Sequence, residues 1–173
     1  MLPRSKNVTE RWIIKCHGNS LKINIARGET VMKSKMLVIR FLAFGKVSFI
    51  DEHIKLIKAN DHVWMLKTGK KIPSSTIDSV VDTGGNMILK APKKLGNKYY
   101  KAHFSKYWQG HPDADMVYPE YYDDIPNEYD EDVLDGTWFK LDMIDELSDR
   151  YVDRLVLCSN GKKLKEVIEQ TRT

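Results

Sequence analysis

Apolar residues recur at two spacings along this chain, and each spacing predicts a different element. Ile50, Ile54 and Ile57 fall at i, i+4 and i+7, with Asp51 and Glu52 near the start and Lys55 and Lys58 near the end. That pattern predicts an amphipathic helix whose charges match its dipole, broken at Asn60-Asp61. Short β-branched or aromatic runs at 11–16, 62–67, 77–82, 87–90, 98–108, 137–141 and 155–158 predict strands. Over 98–108, alternation places Tyr99, Lys101, His103 and Ser105 on one face and Tyr100, Ala102, Phe104 and Lys106 on the other. Thr83-Gly84-Gly85-Asn86 reads as a turn, 143–147 as the start of a short helix and 162–170 as a closing helix. Two apolar runs over 35–50, split at Gly45-Lys46, read either as a hairpin or as a helix followed by a strand. Residues 17–35 carry no firm assignment, and 1–10 are polar and expected to fray. The order predicts a single α+β (mixed α/β) domain over 1–173, a small, mostly antiparallel curved sheet or barrel flanked by two or three helices.

Charge changes this picture. The net charge is +4, but residues 111–136 hold ten acids and no Lys or Arg, so the remainder of the chain carries +14. The stretch 109–136 also holds three prolines and four tyrosines, and is expected to be one long acidic loop or insertion with little regular structure. A basic body with its acids gathered in one place suggests a polyanionic partner. No apolar run approaches the roughly 20 residues of a membrane helix, and no export signal is expected from residues 1–12. Two cysteines, Cys16 and Cys158, make no disulfide framework, so the cytoplasm, or the nucleus in a eukaryote, is the expected compartment.

Catalytic signatures are scarce. Gly69-Lys70 lacks the other residues of a phosphate-binding loop, and Gly84-Gly85 opens no dinucleotide fingerprint. Cys16-His17 with a distant Cys158 falls short of a structural zinc set, and Cys158 within an apolar run reads as buried. Asp123, Asp124, Glu128, Asp130 and Asp132 are acids of the type that hold Mg²⁺ or Ca²⁺, but EF-hand spacing is absent, and Asp135 and Lys140 fit nuclease spacing poorly. No cofactor, metal or catalytic residue is therefore expected. The aromatics are the better lead: Trp12, Trp64, Trp108 and Trp138 sit in or at the ends of predicted strands, and lysines, Lys90, Lys101 and Lys106 among them, crowd the middle of the chain. Cations neutralise phosphates while aromatic faces stack on bases.

The run from Ile54 through Asn60-Asp61-His62-Val63-Trp64-Met65-Leu66-Lys67-Thr68-Gly69 resembles the helix-to-strand step of PUA-like domains, in particular the EVE and YTH branch. Arg11-Trp12-Ile13-Ile14-Lys15 resembles their first strand, and Gly136-Thr137-Trp138-Phe139-Lys140-Leu141 with 155–160 resembles their last strands. Asn60 stands where a glycine is usual, and the acidic segment has no counterpart. The resemblance implies a non-catalytic module for DNA or RNA whose aromatic pocket accepts a flipped or modified base. It places Trp12, Trp64, Trp138, Ser159 and Asn160 at that pocket. Lys67, Lys70, Lys71, Lys93, Lys94 and Lys98 are the expected phosphate contacts. Two other functions stay open: a metal-dependent nuclease using the acidic segment, and an interaction protein whose acidic loop imitates nucleic acid. Alternation at 63–68 sets Trp64, Leu66 and Thr68 against Val63, Met65 and Lys67, leaving open which face is inside.

Overall fold

A computed structural model of the chain describes residues 12–17, 20–27, 30–32, 35–41, 45–125, 132–156 and 161–170. Its centre is a five-stranded sheet of order β4-β6-β7-β8-β5, formed by β4 (Met36–Arg40), β6 (Asn86–Lys90), β7 (Tyr99–Gly110), β8 (Gly136–Glu146) and β5 (Val63–Lys67). Only β4 and β6 run parallel; the other pairings are antiparallel. A second sheet has the order β3-β2-β1-β9, from β1 (Trp12–His17), β2 (Ser20–Arg27), β3 (Thr30–Met32) and β9 (Leu155–Val156). The domain is α+β, as expected. The five-stranded sheet is open and does not close into a barrel: at the β5 edge, the Trp64 N–H donates to Val117 O of the acidic segment at 2.7 Å, so a loop holds the edge.

One face of this sheet packs on α1 (Phe49–Asn60) and α2 (Ser74–Val81), burying Val63, Met65, Phe139, Leu141, Met87 and Leu89. The α1 boundaries follow local chemistry. Ser48 Oγ accepts the Asp51 N–H at 3.4 Å, Asp51 and Glu52 occupy the first turn, and Asp61 ends the helix in the left-handed region at φ 63°. Over 35–50 the order is strand and then helix, with 42–44 outside the described residues. β4 buries Met36, Leu37, Val38 and Ile39 in succession, the continuous apolar run of a strand covered on both faces.

Two other elements depart from the sequence pattern. The expected strand at 77–82 is α2, because Ile77 and Val80, three apart, both point into the core and tertiary packing outweighs β-branched propensity. The expected helix at 143–147 is instead the far half of β8, which pairs with β7 as far as Glu146. Two shorter helices, α3 (Asp149–Val152) and α4 (Leu164–Gln170), bring the number among the described residues to four, beyond the two or three expected. Together with β9 they cover Met36, Val38, Ile88 and Tyr99 on the sheet's second face.

Candidate nucleic-acid interface

The β5 face left open by alternation is resolved by burial. Val63 and Met65 enter the main core, while Trp64 and Leu66 turn to the second face. The acidic segment covers them there. Its 3₁₀ turn, Glu120–Tyr122, buries Tyr122, and the Tyr118 ring lies 5.1 Å from that of Trp138. Trp138 is 0% exposed, and its indole N–H donates to both Gly110 O and Leu134 O at 3.1 Å. It is a filled core position, so the expectation that it walls an open pocket is corrected: the rings of Tyr118 and Tyr122 pack against it, 5.1 and 5.9 Å away. Trp64 is half-buried against the same cluster. Trp12 lies on β1 opposite Ile25 and Leu155, with its side chain outside the described residues, as are Ser159 and Asn160.

The segment is tied down from the other side as well. His53 on α1 is 0% exposed, with Nδ1 2.6 Å from Phe49 O and Nε2 2.8 Å from the Tyr122 hydroxyl. Burial lowers the His53 pKa to about 4, so the ring is neutral. Its Nδ1–H donates to the carbonyl, and Nε2 accepts the Tyr122 O–H. The Tyr122 oxygen in turn accepts the Leu66 N–H at 3.4 Å. Burial pushes the Tyr122 hydroxyl well up, and that of Tyr121 up to about 12. The described part of the acidic stretch, residues 111–125 and 132–136, therefore forms a cover whose polar anchor is Tyr122.

The expected phosphate lysines separate into two groups. Lys67 donates Nζ to Thr68 O and Lys70 O, and burial lowers its pKa. Lys71 is bound to Asp135 at 2.7 Å and Lys98 to Glu146 at 2.8 Å. Lys70, Lys93 and Lys94 are exposed, and no ion pair joins them to a described residue. Lys90 is not part of the basic surface: it is 2% exposed, donates to Ala91 O at 2.7 Å and to Asn97 Oδ1, and lies over the Tyr99 ring.

Between the two covers, Lys106, Trp108 and Asp142 stand exposed on the second face of β7 and β8, with His103 and Lys140 half-buried. In one row across the strands Lys106 stands directly opposite Lys140, which stands opposite Trp64; in the next, Trp108 stands opposite Trp138, which stands opposite Leu66. Neither Lys106 nor Lys140 makes a hydrogen bond or ion pair with a described residue. Trp108 is 46% exposed, and its indole N–H donates to His111 O at 2.6 Å, which fixes the ring. Further along, His103 Nδ1 lies 2.7 Å from Asp142.

Alternation in the sequence puts Lys106 on the core face with Phe104. The structure reverses this. Phe104 pairs with Leu141 but Lys106 with Lys140, so Ser105 is an extra residue, and the facing inverts beyond it. Tyr107 consequently turns to the helices and donates its hydroxyl proton to Asp78 at 2.9 Å. Lys106 and Trp108 therefore share the second face with Lys140.

No protein-family model, curated protein or solved structure matches the chain. Among the described residues, no three His, Cys, Asp or Glu side chains gather into a metal-binding group. No described helix is long and apolar enough to cross a membrane.

Proposed function

We propose that the protein is a non-catalytic nucleic-acid-binding module that engages its ligand along the open strip of β7 and β8. The observation that carries this reading is the pair Lys106 and Lys140. Like charges directly opposite on neighbouring strands destabilise a sheet, and here neither makes an ion pair with a described carboxylate. A bound phosphate supplies the missing counter-charge, in keeping with the +14 carried outside the acidic segment. The resemblance to PUA-like domains implies the same class of ligand. Contact with a base falls to the exposed Trp108, in place of the buried Trp138.

Titration of labelled DNA and RNA oligonucleotides tests this. Lys106→Glu with Lys140→Glu should weaken binding strongly, whereas Lys55→Glu with Lys58→Glu, on the helix that covers the opposite face, should change it little. Equal affinity in wild type and both variants would refute the reading.

A second reading, a protein whose acidic segment imitates nucleic acid, is favoured by the way Tyr122 points inward while Asp113, Asp115, Glu120, Asp123 and Asp124 stay exposed. Glu120→Gln with Asp124→Asn would abolish capture of a basic partner in that case and leave oligonucleotide binding intact.

A further inference from the structure

We infer that the ligand of this strip is single-stranded, held by stacking of one base on Trp108 while its phosphates lie on Lys106 and Lys140. The inference rests on the proposed nucleic-acid-binding function and specifies its ligand. Three features of the site carry it.

The first is the company Trp108 keeps. A single exposed aromatic is ordinary by itself, but this one lies two residues from Lys106 on the same face, about 6.6 Å along the strand. That is the reach from the phosphate of one nucleotide to a neighbouring base. Base faces are available for such stacking only where the strand is unpaired.

The second is the anchored indole edge. Because the Trp108 N–H is spent on His111 O at 2.6 Å, the ring has no donor left with which to read a base edge. What remains is the π-face, which accepts any base, so the site is tolerant of sequence.

The third is the acidic border. The chain leaves Trp108 into His111, whose Nε2 lies 2.7 Å from Asp132, and then into the exposed Asp113 and Asp115. A single strand can follow the lysines and keep clear of these carboxylates. A duplex carries a second phosphate backbone, which would be brought against them and repelled.

The experiment is fluorescence anisotropy with a labelled 12-nucleotide DNA, its RNA counterpart and the corresponding duplexes, on wild type, Trp108→Ala, Trp108→Phe and the Lys106→Glu/Lys140→Glu variant. Thermal melts confirm that each variant is folded. Single strands should bind at least about tenfold more tightly than duplexes, with little dependence on sequence. Trp108→Ala should lose about tenfold for single strands and little for duplexes, and Trp108→Phe should recover much of the loss. If Trp108→Ala binds single strands as wild type does while the lysine variant does not, stacking is refuted and the broader function stands. Duplex binding equal to or tighter than single-strand binding refutes the inference as well. If neither variant changes any affinity, both readings fall.

Discussion

The Tyr122 hydroxyl donates its proton to Nε2 of a fully buried His53 across 2.8 Å, and so fastens the acidic segment to α1 beneath the edge of the sheet. The contact joins residues 69 positions apart. It also sets how the fold responds to acid. His53 is neutral in the folded chain, with its pKa lowered from 6.5 to about 4, so the unfolded chain binds a proton that the folded chain refuses. Its contribution is whole above pH 6.5 and is lost as the pH falls towards 4. At about 1.4 kcal/mol per pKa unit the loss is about 3 kcal/mol. Chemical denaturation between pH 7.5 and 4 should show this slope, and His53→Gln should flatten it.

Tyr122→Phe removes the donor and leaves a buried acceptor unpaired on His53. Stability should fall by about 1–2 kcal/mol at neutral pH. The acid slope should persist, since the imidazole stays buried.

The two tryptophans that face each other across β7 and β8 should behave oppositely. Trp138, wholly enclosed and hydrogen-bonded at both Gly110 and Leu134, should lose about 3–5 kcal/mol on change to Ala. Trp108→Ala should shift stability by no more than about 0.5 kcal/mol. Urea denaturation of the two variants checks the contrast.

Gly85 sits at φ +60° where β7 passes, and a Cβ there would lie 2.3 Å from Phe104 O, the carbonyl of the residue whose N–H binds Gly85 O. Gly85→Ala should therefore destabilise by about 1–3 kcal/mol, measurable as a lowered denaturation midpoint.

Much of this architecture was legible in the sequence, and the exceptions have physical causes. Ile50, Ile54 and Ile57 announce α1 because their spacing is local, and the β5 alternation correctly separates Trp64 from Met65. Ile77 and Val80 fit strand and helix equally, so only the core they enter decides for α2. The burial of Trp138 depends on tyrosines 16 and 20 positions earlier, in a segment whose ten acids suggest solvent rather than packing. The least legible feature is the extra residue at Ser105, because a bulge belongs to the pairing of two strands and leaves no mark in either one alone. That single residue moves Lys106 and Trp108 to the open face.

The most direct test of the central claim is the salt dependence of single-strand binding by wild type and by the Lys106→Glu/Lys140→Glu variant. Each phosphate contact contributes about 0.7 to the slope of log K against log salt for a single strand. Loss of two contacts should therefore weaken binding at low salt and reduce the slope by about 1.4. An unchanged affinity with an unchanged slope would contradict the account.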